Sequence, residues 1–263
     1  MPVRVPDAIT IAEIERFQWL LDHYDPARPP LLPKGKLSLA AAAELFRVLQ
    51  DVANPEITRS ITRQLADCPI WTLLRKLRGR DGRVCEGNVA FSRIPTIYDQ
   101  DWYVEEMRLF QATLVSHKFP QRLSASLTGG VFEIVDNVWR HSQAPAHSLL
   151  AYKVVNRTFS FSVCDGGVGV LASLTQNRHY AYLKTSVEAL DEAVKPNVSA
   201  LPNGSGLGFD TLVRALADLW GKTRLRSGEG VLLFNRETER HSKQRYFLPR
   251  LRGLHVSGIC RLK

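Results

Sequence analysis

Glu133, Asn137 and Arg140 recur at intervals of about one helical turn within QRLSASLTGGVFEIVDNVWRHS, residues 121–142. Read as a helix, the stretch gathers these three on one arc and Leu127, Val131, Ile134, Val135 and Val138 on the opposite arc. A carboxylate, a carboxamide and a guanidinium in this arrangement suit a magnesium nucleotide. The Asn137 amide oxygen can take one position on Mg2+, whose remaining positions go to water and phosphate. Glu133 can accept a proton from an attacking hydroxyl or water, and Arg140 can neutralise phosphate charge. Gly129 and Gly130 leave the neighbouring surface bare, at about 1 kcal/mol per residue in helix propensity. From this helix alone, an ordinary solvated face is an equal reading.

Two further stretches add weight. TFSFSVCDGGVGV, residues 158–170, alternates apolar and small residues and stops at Asp165 before a glycine turn that includes Gly167 and Gly169. A carboxylate at a strand end can accept a hydrogen bond from an exocyclic amine such as that of adenine. In PNGSGLGFDTLVRALADLW, residues 202–220, Gly204, Gly206 and Gly208 precede a helical pattern over Thr211–Trp220. Glycines opening a helix let backbone N–H groups and the positive end of the helix dipole face a phosphate.

EIVDNVWRHS, VCDGGVG and GSGLG, in that order, resemble the N box and the two glycine boxes of the GHKL ATP-binding superfamily. That superfamily unites DNA gyrase, heat-shock chaperones, histidine kinases and MutL repair proteins. The resemblance covers roughly residues 118–263 and is nearest to histidine-kinase-like and anti-sigma-factor-like members. It implies Glu133 as general base, Asn137 as magnesium ligand and Asp165 as the acid that reads adenine. It also implies Gly167 and Gly169 as the turn under the base, Gly204, Gly206 and Gly208 as the phosphate turn, and Arg140 as a phosphate neighbour. Two departures stand out. Gly253-Leu254 occupies the place of the usual late Gly-Thr pair, and Val231 is likewise not threonine, so adenine contact is expected to be weaker or arranged differently, with base specificity less secure than phosphate binding.

The fold the resemblance implies is α+β: a two-layer α/β sandwich of the GHKL (Bergerat) type, a mixed sheet covered by helices. Strands grouped after helices without regular alternation agree with it. The domains expected are a mainly helical N-terminal region, 1–99, and an ATP-binding domain, 100–263. The function expected is ATP- and Mg2+-dependent transfer of the terminal phosphoryl group to a partner protein or to water. The alternative is a non-hydrolysing, ATP-dependent switch that regulates a protein partner. The phosphoacceptor is expected in another chain, and a homodimer is compatible with this reading.

Composition sets outer limits. The 263 residues are 44% hydrophobic and 23% charged, as in ordinary globular chains, with a formal net charge of +9. A positive balance attracts any polyanion, ATP included, and selects none. Neither a membrane span nor a secretory signal is legible, so a cytoplasmic protein is expected. Cys68, Cys85, Cys164 and Cys260 are scattered and read as buried free thiols rather than as zinc ligands or disulfides.

Along the chain, helical patterns span 8–24, the LAAAAELFRVLQDVA stretch with Ser38 as N-cap, and a third stretch from Glu56 that Pro69 interrupts. A proline-rich connector separates the first two. The basic run Arg75–Arg83 lacks interleaved aromatics and reads as a solvated turn, making nucleic acid an unlikely partner. Residues 84–98 read as irregular or short strands and 100–117 as a helix. His117 lies only twenty positions before Asn137 and reads as a surface or capping histidine. Strand pairing is expected between 147–156 and 158–164. Residues 171–203 occupy the place of a nucleotide lid, with a helical piece SVEALDEAV and Lys195 at its end. KTRLRS and GVLLFN read as successive strands about Ser227–Gly230, followed by a polar excursion and a closing strand at 253–262.

Overall fold

The computed structural model describes residues 8–9, 11–22, 31–32, 36–77, 82–143, 147–196, 198, 220–235 and 242–262. Strand β1 (Ala8–Ile9) pairs in parallel with β2 (Lys36–Leu37), and α1 (Ile11–Asp22) follows β1. The helical pattern expected from Ala8 therefore starts three residues later. Helix α2 (Leu39–Asp51) begins where Ser38 Oγ accepts the Ala41 N–H at 3.2 Å, satisfying a donor the helix itself cannot. Pro69 divides the third stretch into α3 (Pro55–Gln64) and α4 (Pro69–Arg75). Each opens on proline, whose missing N–H costs nothing in a first turn.

The hairpin β3 (Arg83–Glu86) and β4 (Val89–Arg93) comes next, then α5 (Gln100–Ser116), capped by Asp99 Oδ1 accepting the Trp102 N–H at 3.0 Å. Helix α6 (Gln121–His141) leads to β5 (Leu149–Val155) and β6 (Thr158–Cys164). Asn156 and Arg157 join these two strands with φ of 49° and 62°, the left-handed pair a tight hairpin needs. After β6 come α7 (Gly169–Leu174), a 3-10 turn (Arg178–Tyr180), α8 (Ser186–Ala193), β7 (Trp220–Asn235) and β8 (Ser242–Arg261).

The large sheet runs in the order β3-β4-β5-β6-β8-β7, antiparallel at every pairing, which corrects the mixed sheet expected. The cause is the route of the chain. After β6 it passes through helices to the outer strand β7, then turns back, so β8 enters between β6 and β7 antiparallel to both. Strands β7 and β8 pair along nearly their whole length. Ser227–Gly230 is therefore a bulge in one long strand, not a turn between two, and β8 takes in residues 242–250 of the supposed polar excursion. Two of the six strands, β3 and β4, lie before residue 100.

Period-two alternation gives the sheet two apolar faces. Phe159, Phe161 and Val163 point to one, where Phe110, Phe132, Val131, Ile134, Val135, Val138 and Leu190 from α5, α6 and α8 complete a core. Phe91, Leu149, Ala151 and Cys164 point to the other, beneath Phe17, Leu45, Ile61 and Trp71 of the N-terminal helices. The first face and its helices form the two-layer α/β sandwich; the N-terminal helices cover the second face. No helix among the described residues is long and apolar enough to cross a membrane.

Several expected features lie outside the described residues: Gly204, Gly206 and Gly208, residues 211–219 of the helix after them, most of the proline-rich connector, and residues 78–81 of the basic run. Trp220 itself begins β7. At the end of that run, Arg83 is engaged with Tyr152 Oη at 2.8 Å and Glu106 at 3.3 Å.

Candidate functional site

Helix α6 is buried through Leu127, Val131, Ile134, Val135 and Val138, the five residues assigned to its inward arc. Phe132 is buried as well, against Phe110 and Tyr103 of α5. Glu133 and Arg140 are exposed and Asn137 is half-buried. Among the described residues Glu133 and Asn137 make no side-chain hydrogen bond or ion pair. Arg140, in contrast, pairs with Asp136 one turn back. Tyr103 stands beside this acidic surface: burial, together with the charges of Asp136 and Glu133, pushes its phenol up to about 12. A β-carbon built on Gly129 meets nothing within 4 Å, so the helix surface there is open.

Asp165 lies one step past β6. Continuing the alternation of Phe159, Phe161 and Val163, it falls on the face that α6 covers. Its N–H donates to the Leu254 carbonyl at 2.9 Å, and its Oδ1 accepts the Gly167 N–H at 2.7 Å. Burial raises its carboxyl to about 6, offset only in part by the Gly167 N–H.

The glycine turn is clamped from three sides. Val168 N–H donates to the Ser142 carbonyl at 2.9 Å, tying the turn to the end of α6, and a β-carbon on Gly167 would overlap that same carbonyl. Gly169 has φ +81°, and its β-carbon would come within 2.7 Å of Ser227 Oγ. Ser227, fully enclosed in the β7 bulge, donates to the Gly253 carbonyl at 2.9 Å and accepts the Val170 N–H at 2.9 Å. Gly253, at φ +79°, lies directly against Asp165, where any β-carbon would overlap the Asp165 carbonyl. Gly253-Leu254 thus meets Asp165 directly, and the nearby Ser227 hydroxyl is spent on backbone bonds.

The structure therefore brings together Asp165, Gly167, Gly169 and the C-terminal end of α6. Ser142 is five residues beyond Asn137, about 7.5 Å along the helix axis. Sequence reasoning missed Ser142, Ser227 and Gly253 as parts of this cradle. Only Gly253 carried a signal, as the glycine of a departed pair. Ser142 contributes a backbone carbonyl, and nothing local distinguishes Ser227.

Of residues 171–203, expected as a lid, 171–196 and 198 are described. Leu174, Tyr180, Leu183, Leu190 and Ala193 are core residues, and Asp191 pairs with Arg245 and Lys243 of β8. Ser186 sits on Gly228 and Gly230, whose missing side chains make room for the start of α8. Lys195 pairs with Glu192 at 2.6 Å on the surface. His117 ends α5, its Nδ1 2.9 Å from the Thr113 carbonyl, a capping position. Cys68, Cys164 and Cys260 are buried, but Cys85 is exposed at the end of the sheet, against the expectation of four buried thiols. A cavity of about 840 Å³ lies elsewhere, lined by residues 93–102 with Gly82 and His147; none of the expected site residues lines it.

No family model matches this chain, and no curated protein matches it.

Proposed function

We propose that the protein binds ATP with Mg2+ in the manner of the GHKL superfamily and transfers the terminal phosphoryl group to a partner protein or to water. The observation that carries this reading is the junction of Asp165, Gly167 and the end of α6. Two motifs separated by more than twenty residues meet there through the Val168-to-Ser142 hydrogen bond. The donor set suits the ligand. Asn137 offers a cation a carboxamide that is unengaged among the described residues, and Asp165 offers a carboxylate to an exocyclic amine, held in place by a glycine turn packed on Ser142 and Ser227. Bound Mg2+ would neutralise phosphate charge as it develops. Asn137 would hold it, Glu133 would accept the acceptor's proton, and the α6 surface about Gly129 would let the nucleotide approach the backbone.

Isothermal calorimetry of the full chain with ATP in the presence and absence of Mg2+ tests the reading. Magnesium-dependent binding is expected, weakened about tenfold or more by Asn137→Ala. No heat of association with any adenosine nucleotide would remove it.

The second reading, a switch that binds ATP without turnover, is favoured by the state of Glu133. A general base is ordinarily oriented by a hydrogen bond from a neighbour. Glu133 is exposed and has no hydrogen-bond or ion-pair partner among the described residues.

A further inference from the structure

Five ionisable side chains from three distant parts of the chain meet between α1–α2 and the second face of the sheet. Glu44 of α2 is wholly buried and accepts from Arg226 and from Arg224, the latter at 2.5 Å. Arg224 also donates to Glu15 at 2.6 Å, and Arg226 to Gln18 at 2.5 Å and to the Pro249 carbonyl at 2.7 Å. His255 Nδ1 lies 3.0 Å from the Glu44 carboxylate. At that distance Nδ1 is out of line for a hydrogen bond to the carboxylate, while Nε2 and the Ser162 hydroxyl are hydrogen-bonded at 2.6 Å. Burial lowers the His255 pKa and keeps the ring neutral. Two carboxylates then face two guanidiniums, a balanced set. Burial alone would raise Glu44, but the two arginines and His255 outweigh it and hold the carboxyl well below its ordinary range.

Such a cluster adds little net stability, because removing the ions from water offsets their attraction. It does specify position. Alternation along β7 and β8 makes that position matter on the opposite face. Arg224 and Arg226 face Glu44, while the next residue, Ser227, faces the glycine turn and holds Val170 and Gly253. His255 faces Glu44, while Leu254 and Gly253 before it hold Asp165. Arg47, one turn along α2 and also buried, adds its positive charge to the surroundings of Asp165.

We infer that Glu44 is a positioning residue for the glycine turn on the far side of the sheet. By fixing Arg226 and His255 it sets where β7 and β8 present Ser227 and Gly253, and so where Asp165 and Val170 stand. The N-terminal helices are then part of the site's machinery. The consequence for ATP rests on the nucleotide reading above; the mechanical coupling does not.

Amide hydrogen exchange and ATP affinity in the full chain test it together. Glu44→Gln leaves two buried guanidiniums facing one carboxylate, so the charge-balanced Glu44→Gln/Arg226→Gln is measured beside it. The double variant is expected to fold. Its Val170 and Gly167 amides should exchange about tenfold or more faster than in the unmodified chain, with Val135 and Val154 unchanged. Its Kd for ATP with Mg2+ should weaken by about tenfold. A folded double variant with unaltered exchange at Val170 and Gly167, a uniform rise at all amides, or a chain that does not fold would each overturn the inference. If the unmodified chain binds no ATP, the nucleotide reading fails, and the exchange pattern still decides the coupling.

Discussion

Gly167 packs so closely on Ser142 that a β-carbon at position 167 would overlap the Ser142 carbonyl, the same carbonyl that accepts the Val168 N–H at 2.9 Å. The glycine turn and the end of α6 are thereby one rigid junction, formed where a side chain has been left out.

Gly167→Ala must push the two backbones apart and is expected to destabilise the chain by about 2 kcal/mol or more. Gly129→Ala is the control on the same helix. It meets nothing within 4 Å and should stabilise by about 1 kcal/mol, the helix preference for alanine. Urea denaturation of both variants checks the pair, and equal effects of one sign would contradict the packing described.

Asp165 gives a pH dependence with a defined sign. Its carboxyl is raised to about 6 by burial, against about 3.9 in an unfolded chain. The folded state therefore holds this proton more tightly. Ionisation costs stability above about pH 6, and the cost disappears below about pH 4. Asp165→Asn should accordingly stabilise the unliganded chain by up to about 3 kcal/mol at pH 8 and leave it unchanged near pH 4. ATP affinity of the unmodified chain should fall as pH drops through about 6, since the neutral acid is a poorer acceptor for the adenine amine. Denaturation at the two pH values and a binding titration across the interval measure both effects.

Glu133 and Asn137 separate turnover from switching. Asn137→Ala is expected to weaken magnesium-dependent ATP binding about tenfold or more under either reading. Glu133→Gln should leave ATP binding intact and lower phosphoryl transfer about a hundredfold if Glu133 is the base. Rapid quench with labelled ATP reads this directly. Unchanged transfer in Glu133→Gln would assign the proton to another group, and absent transfer in the unmodified chain would favour the switch.

The thiols divide sharply. Burial pushes both Cys164 and Cys260 up to about 12, whereas Cys85 is exposed. A thiol reagent at pH 8 should modify Cys85 rapidly in the folded chain and Cys164 and Cys260 only after unfolding, because the thiolate is the reactive form. Cys85→Ser should remove the rapid phase. Fast labelling of Cys164, located by peptide mapping, would show that the strand end at Asp165 opens readily.

Much of this molecule is written in local chemistry. The apolar arc of α6, the Ser38 cap, the break at Pro69, the hairpin at Asn156-Arg157 and the Asp165 turn each depend on neighbours a few residues away, which is why periodicity and capping rules reach them. Residue types and order proposed Glu133, Asn137 and Asp165 as a set; the tertiary structure joins the Asp165 turn to the end of α6 at Ser142. The sequence did not disclose that β8 enters between β6 and β7, that Ser227–Gly230 is a bulge beneath α8, or that Gly253 underlies Asp165. Nor did it disclose that Glu44 meets Arg226 across 182 positions. A buried carboxylate and its guanidinium carry no local signature of each other. Their pairing is decided only when two strands and a helix are assembled and water is excluded between them, and that assembly belongs to the tertiary structure.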